Sequence, residues 1–418
     1  MPSLTGRLRG SVLGFRDFRL LWFGQAISTV GDQIVPVAVA IAVLNAGGDA
    51  TDVGLVLAAR FAGLVLFAIA GGVWADRLPR TWVMRGADAL RMVTLLGLAA
   101  MPSTPPLWVL AALVFVVGGG EAFFRPAETA LLPSILPADR LRPANALITI
   151  SYRTAAVIGP GLGGLVVHAS GGTRTAFVVN ALTFGVSLLC LLLLREPPRD
   201  LVAREDRPGA LREVLEGFDE VRRRPWVLAI LLLASVFLML CVAPETVLLP
   251  VIGRARFGSD YVFTTSLALI AAGGVVGGII ALTWHPRRPG LVGAIGWLPF
   301  TAVPLVLAFG QQPWTFYLAY FVSGVGFEPF NVYWQTALQR EIPADKLARV
   351  SSLDWMTSLA LLPIGMALTG PAVSAFGVTT VLLTAAVVNV VSTGAALLVP
   401  GVMELRSPRP RGAAQQPA

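Results

Sequence analysis

A carboxyl group in the middle of an apolar segment is the first chemistry this sequence offers. Asp32 stands in such a place, within the run 18–44. An ionisable group there costs roughly 2.5–3.5 kcal/mol on insertion scales and is functional by default. A carboxylate that meets dry surroundings in one state and water in another can take up a proton and later release it. Exchange of a proton for a substrate at one site needs that behaviour, so Asp32 is the expected proton-coupling residue. The alternative for Asp32 is permanent pairing with an arginine as a structural ion pair. Arg60, Arg91, Arg125 and Arg153 are the cations available in the same half of the chain. They can neutralise Asp32, Glu121 and Glu128 or hold an anionic substrate, and Arg60, Arg91, Arg153 and Glu128 are the expected intramembrane charge partners. Arg125 and Arg153 lie near segment ends and can instead snorkel to the interface. In the second half the acids within apolar segments are Glu245, Glu328 and Asp354. Gln25, Phe61, Phe237, Glu245 and Trp355 are expected to line a substrate cavity.

Such residues need elements that cross a bilayer. Of 418 residues 55% are hydrophobic and 13% charged, and the mean hydropathy is +0.73. Soluble domains carry about 25% charged residues, so a soluble protein of this size is excluded. Forty-three glycines and thirty prolines are too many for long soluble helices, whereas transmembrane helices tolerate both. The net charge of +8 and pI near 10.4 do not point to a nucleic acid, because the basic residues form short clusters between apolar runs, as membrane loops do. Cys190 and Cys241 lie within apolar runs, where a thiol behaves as a small hydrophobe. No Cys or His spacing suggests a metal, and no cofactor is expected. The first apolar stretch, from about Leu20, is longer than a signal-peptide core and has no small-residue cleavage site.

Twelve runs are long enough to span a bilayer: 18–44, 53–76, 82–101, 106–132, 143–168, 174–194, 226–252, 260–284, 290–309, 313–338, 348–370 and 375–400. Arginines fill the amino terminus, the even-numbered loops and the carboxyl-terminal tail, while the opposite loops hold only Arg174, Arg254 and Arg256. That bias predicts both termini in the cytoplasm. The expected organisation is a six-helix bundle over 1–194, a cytoplasmic linker over 195–224, a second six-helix bundle over 225–402, and a disordered cytoplasmic tail over 403–418. Leu211, Val214, Leu215, Phe218 and Val221 recur at helical spacing and predict an amphipathic helix on the inner membrane surface, the alternative being a plain solvated linker.

The two bundles repeat. LPADRL (Leu136 to Leu141) returns as IPADKL (Ile342 to Leu347), Gly71-Gly72 as Gly277-Gly278, and Ile158-Gly159 as Ile364-Gly365, each 206 residues later. Three matches in one register predict a duplicated unit whose halves bracket a central cavity and rock about it.

Two motifs then resemble the major facilitator superfamily, over essentially the whole chain. GGVWADRLPR (Gly71 to Arg80) is similar to that family's loop signature at Gly72, Ala75, Asp76, Arg77 and Arg80, and departs from it at Trp74, Pro79 and Thr81. The resemblance implies a gating loop formed by Gly72, Asp76, Arg77 and Arg80. The equivalent loop of the second half has Leu282 where Asp76 would be. In the fifth run, Gly159, Pro160, Gly163 and Gly164 resemble a signature of proton-coupled exporters and imply a helix-5 hinge. The stretches FRLLWFGQAISTVGDQ (Phe18 to Gln33) and PAETALLPSILPADRLRPANAL (Pro126 to Leu147) resemble the enterobactin-exporter and macrolide-efflux group. Where that group has Pro-Ala-Arg, this chain has Pro126-Ala127-Glu128, with Arg125 just before. The implied fold is all-α: twelve transmembrane helices in two pseudo-symmetric six-helix bundles. The implied function is proton-coupled export of small amphipathic molecules, drug-like or siderophore-like, by alternating access. An importer or uniporter of a small solute is the alternative. A membrane-embedded enzyme would gather His, Cys or acids at one face, and no such cluster is visible. The expected partners are a small-molecule substrate, protons and the lipid bilayer, with no nucleic acid, and the chain is expected to be a monomer. Arginine outnumbers lysine 31 to 1, a composition that suggests a bacterium of high genomic GC content and hence its plasma membrane.

Overall fold

In a hydrocarbon surrounding every backbone N–H and C=O must be satisfied within its own segment, so long apolar runs become helices. The computed structural model describes residues 12–102, 105–197, 218–219, 221–284, 286, 288–342, 350, 353, 357 and 360–399, with the side chains of 69, 73, 75, 76, 289 and 339–341 left aside. After a short turn at Val12–Gly14, the amino-terminal half consists of α1 (Arg16–Asn45), α2 (Ala50–Arg77), α3 (Arg80–Ala100), α4 (Leu107–Ile135), α5 (Ala138–Ser170) and α6 (Thr173–Leu193). The second half consists of α7 (Pro225–Phe257), α8 (Tyr261–Thr283), α9 (Pro289–Ile295, Leu298–Thr301 and Ala302–Phe309), α10 (Pro313–Glu341), α11 (Leu362–Phe376) and α12 (Val378–Leu398). Nine helices among the described residues are long and apolar enough to cross a membrane. The other three are α3, which carries Arg85, Asp88 and Arg91, α10, and the short described part of α11.

The helix ends follow local chemistry. Asp49 and Asp52 form a reciprocal cap at the start of α2, Asp49 Oδ1 accepting from Thr51 N at 2.7 Å and Asp52 Oδ2 from Asp49 N at 3.1 Å. Gly171 and Gly377 follow α5 and α11 with φ of 71° and 79°, a conformation that glycine adopts without strain. They too lie 206 residues apart. Several expected runs differ in outline: the seventh continues to Phe257 past the expected 252 and the eleventh to Phe376 past the expected 370. The fifth begins at Ala138, ahead of the expected 143, because Pro143 falls early in the helix and is carried through. The ninth is broken: Pro299 and Pro304 lack the N–H groups that would continue it, and Leu298–Thr301 tightens to a 3-10 turn. α7 widens to a π-helical turn at Leu238–Val242, just before Pro244. Most of the expected amphipathic linker helix, the second copy of the LPADRL motif beyond Ile342, Asp354, Trp355 and the tail lie outside the described residues; of the linker positions that are described, Phe218 is exposed and Val221 buried.

Packing obeys the repeat. α2 and α4 meet where a Cβ on Gly71 would strike the Ala122 carbonyl and one on Gly118 the Arg60 carbonyl. Their counterparts α8 and α10 meet through Gly277 against Val325 and Gly324 against Ile270. Small residues admit such close backbone approach between membrane helices. The halves join along two seams, α5 with α8 and α2 with α11, which the 206-residue shift interchanges. Gly164 abuts Thr264 on one seam and its equivalent Gly370 abuts Thr51 on the other. Arg254 Nη1 donates to Asn45 Oδ1 at 2.8 Å, and the rings of His168 and Tyr261 meet at an angle of 57° with centroids 4.9 Å apart. These cross-half contacts sit at the end of the bundle remote from the chain termini, where a 320 Å³ cavity beside the α5–α8 seam is lined in part by Asn45, Gly164, His168, Asp260, Tyr261 and Thr264.

Candidate functional site

Ionisable side chains from five of the six amino-terminal helices converge inside that half. Asp32 on α1 accepts from Arg91 Nη1 on α3 at 3.4 Å. Arg91 Nη2 also donates to Asp88 Oδ1, one turn away, at 2.5 Å. Ser187 on α6 donates to the other Asp88 oxygen at 2.6 Å and accepts from Gln25 Nε2 on α1 at 3.0 Å. The guanidinium of Arg91 lies over the rings of Phe124 and Phe184 at 4.9 and 4.2 Å, so its faces are held by aromatics while its edges meet two acids. Asp32 Oδ1 is buried with no hydrogen-bond partner.

A second network ties α2, α4 and α5. Arg60 Nη2 on α2 donates to Glu121 Oε2 at 3.2 Å, and Arg125 Nη2 donates to Glu121 Oε1 at 3.4 Å. Arg125 lies 4.3 Å above the Tyr152 ring, and the Tyr152 hydroxyl donates to Glu128 Oε2 at 3.3 Å. This network holds two cations and two acids. The first holds one cation and two acids.

Several expected site residues sit elsewhere than on one cavity wall. Gln25 is buried against α6. Phe237 is fully buried, stacked on Trp297 at 5.0 Å and on Phe327 at 6.0 Å, because these rings fill the core of the second half. Glu245 is buried on α7 beside Thr246, whose hydroxyl lies 3.3 Å from its carboxyl group. Phe61 is half-buried at the edge of the main core. Arg153 pairs with Glu328 on α10 of the other half, Nη2 to Oε1 at 2.6 Å, and not with Asp32. Gly159 and Gly163 pack against Gln33 and Ile34 of α1, and Gly164 against α8, within an α5 that runs unbroken through Pro160.

Around the loop between α2 and α3, Gly72 has open space beside it and Arg77 is exposed. The Asp76 side chain is among those left aside. No motif or spacing in the chain signals the partner of this loop. Pro79 offers α3 no side-chain cap, and Glu196, just past α6, supplies one: its carboxylate accepts from Arg80 N at 3.2 Å, Thr81 N at 3.0 Å and Thr81 Oγ1 at 2.8 Å. Arg85 makes the reverse connection, donating to the Leu191 carbonyl at the end of α6 at 2.8 Å. Asp88 is a further member of the site that sequence reasoning does not single out, although its position three residues before Arg91 in an apolar run is a readable signal.

The 206-residue shift shows how the halves have diverged. Asp32, Asp88, Arg91, Glu121 and Glu128 correspond to Leu238, Ala294, Trp297, Phe327 and Trp334. The ionic network of one half is replaced in the other by an aromatic stack that runs from Phe237 through Trp297, Phe327 and Phe330 to Trp334.

Known proteins share this chain's sequence and its fold. The chain is 27% identical over 390 residues to the multidrug efflux pump Tap of Mycolicibacterium fortuitum, covering 90% of this chain and 92% of the pump. It is 24% identical over 363 residues to the macrolide efflux protein A of Streptococcus pyogenes, covering 84% and 88%. A bacterial homolog of the human lysosomal transporter Spinster, solved inward-facing and unoccupied, superposes with a TM-score of 0.76 at 17% identity, covering 93% of this chain and 98% of that one. The nucleoside transporter NupG superposes with a TM-score of 0.68 at 14% identity, covering 91% and 98%. The Major Facilitator Superfamily profile matches residues 21–360, and with two pseudo-symmetric bundles meeting along interchangeable seams the chain belongs to that superfamily of membrane transporters.

Proposed function

We propose that the chain exports small amphipathic molecules from a bacterial cytoplasm in exchange for protons, by alternating access, as a monomer. The observation that carries the proton step is the charge balance around Arg91, where two carboxyl groups, Asp88 fully buried and Asp32 half-buried, share one guanidinium. With both ionised, one negative charge lacks a counter-charge in surroundings that penalise it heavily. A proton on one acid removes the excess. Asp32 is the better seat, because its side chain is 19% exposed against 0% for Asp88, and one of its oxygens is unpartnered. Asp88 is the fixed anchor of Arg91.

Export is favoured by the sequence relatives, which are named for macrolide and multidrug efflux. The arginine-rich loops support cytoplasmic termini, and the end where Arg254 meets Asn45 then faces outward. The bundles are assigned to 1–194 and 225–402, with the linker at 195–224 and the tail at 403–418. In the cycle, substrate enters from the cytoplasm, the halves rock, Asp32 takes a proton from outside as the substrate leaves, and the return stroke delivers that proton inward. Gly72, Asp76, Arg77 and Arg80 act as the gating loop, and the glycines of α5 let it slide on α1 and α8.

The test is dye transport by the full chain in vesicles with an imposed pH gradient. Asp32→Asn is expected to abolish gradient-driven accumulation while still allowing the dye to equilibrate. A variant that pumps like the wild type rules out Asp32 as the proton site.

A further inference from the structure

Two backbone irregularities of the second half are held on one turn of α12. In the π-helical turn of α7, Cys241 Sγ donates to the Ala385 carbonyl at 3.2 Å. At the break of α9, Asn389 Nδ2 donates to the Trp297 carbonyl at 2.9 Å and to Thr301 Oγ1 at 2.8 Å. Ala385 and Asn389 stand one helical turn apart on α12, which runs without interruption from Val378 to Leu398. Ser323 on α10 serves the break from another side, donating to the Pro299 carbonyl at 3.1 Å. A broken helix leaves backbone groups that hydrocarbon cannot satisfy, and the fully buried Asn389 meets that need. Phe237, the last residue before the π turn, lies 5.0 Å from Trp297 and 5.1 Å from Phe300, so the two irregularities also touch each other. They fall where two hydrophobic clusters meet, one holding Ile230, Ala294 and Ala396, the other Phe237, Trp297 and Ala385.

The equivalent stretches of the first half are regular. The 206-residue shift places the π turn on 32–36 and the 3-10 turn on 92–95, which lie inside the continuous helices α1 and α3. There Asp32 and Asp88 meet Arg91 in directional ion pairs, whereas α7 meets α9 ring on ring, a contact that tolerates a change of angle. π turns, prolines and mid-helix 3-10 turns are the places where helices bend. We propose that α12 is a fixed spine on which α7 and α9 are hinged at one level. Their segments Pro225–Phe237 and Pro289–Ile295 swing together, opening and closing the second half at the end that holds the chain termini, while the first half moves as a rigid body. This goes beyond the exporter reading, because it holds for either direction of transport.

Double electron–electron resonance on the full chain in lipid nanodiscs tests the hinge. Spin labels at Arg288 and Leu398 report the start of α9 against the end of α12, and labels at Trp82 and Leu192 form the equivalent pair of the first half. All four side chains are exposed, and the native Cys190 and Cys241 are buried. The lever from Arg288 to the break is about 12 Å long, so a bend of about 20° moves its end by about 4 Å. The distance distribution of the Arg288–Leu398 pair is expected to be wider than that of the Trp82–Leu192 pair by about that amount. Pro299→Ala combined with Pro304→Ala restores two N–H donors to α9 and is expected to narrow the distribution to the width of the first-half pair. Asn389→Ala removes the brace and is expected to widen it. Equal widths for the two pairs in the wild type, or an unchanged width in either variant, overturns the proposal. Should a variant fail to fold, the comparison of the two wild-type pairs still decides. No cargo and no gradient are applied, so this outcome is separate from that of the vesicle experiment.

Discussion

Exchanging Asp88 for asparagine removes the charge of a side chain that is 0% exposed and takes hydrogen bonds from Arg91 at 2.5 Å and Ser187 at 2.6 Å. Arg91, itself only 3% exposed, is then left with the single longer contact to Asp32 at 3.4 Å. Asparagine also turns an amide N–H toward one of two donors, so an acceptor site is replaced by a donor. Breaking a buried pair from one side costs about 3–5 kcal/mol. For a body of roughly 200 residues such a loss lowers Tm by about 10 °C. Asp32→Asn acts differently: it leaves the Arg91–Asp88 pair intact and brings the cluster to charge balance, so its effect on stability is expected to stay within about 1 kcal/mol. Thermal denaturation of the two purified variants in the same detergent compares them directly. If Asp88→Asn melts with the wild type while Asp32→Asn melts early, the roles are reversed and Asp32 is the structural anchor.

Gly164→Leu places side-chain atoms where Thr264 already stands. Overpacking of about 1–3 kcal/mol is expected to part the α5–α8 seam; spin labels at Gly172 and Ser259 should report a longer distance, and an unchanged distribution refutes this. Glu196→Ala removes the cap from α3, worth about 1 kcal/mol, and should speed hydrogen exchange at the amides of Arg80 and Thr81. Exchange at the wild-type rate there means that the cap contributes nothing.

The spans, the repeat and the family motifs are legible in the sequence because each is written locally or at a constant interval. Length and apolarity suffice for a helix such as Leu107–Ile135, and the shift that relates Gly159 to Gly365 also relates Gly164 to Gly370, two close approaches across the seams. The candidate site is legible in its ingredients but not in its pairings. Asp32, Arg60, Arg91, Arg153 and Glu128 stand out as charges in apolar runs, yet which arginine meets which acid depends on how helices rotate about their axes. Arg153 and Glu328 are 175 residues apart, and nothing local links them. Gln25 and Phe237 are ambiguous for a related reason: a polar or aromatic side chain in a span fits a cavity and a core equally well until a neighbour such as Ser187 or Trp297 is known. Glu196 is the clearest omission, since a loop carboxylate reveals itself as a cap only when the helix that it serves, begun over a hundred residues earlier, is set beside it.

The substitution of Trp297, Phe327 and Trp334 for Arg91, Glu121 and Glu128 bears on how the protein is made. During synthesis, α1 leaves the ribosome with Asp32 before the arginine of α3 exists, and α2 brings Arg60 before the glutamate of α4. Each early segment must wait, its charge solvated at the interface or in the translocon, for a mate translated later. The later half carries few such obligations: its rings need only neighbours, in any order. Assembly of the amino-terminal bundle is therefore the step most exposed to interruption.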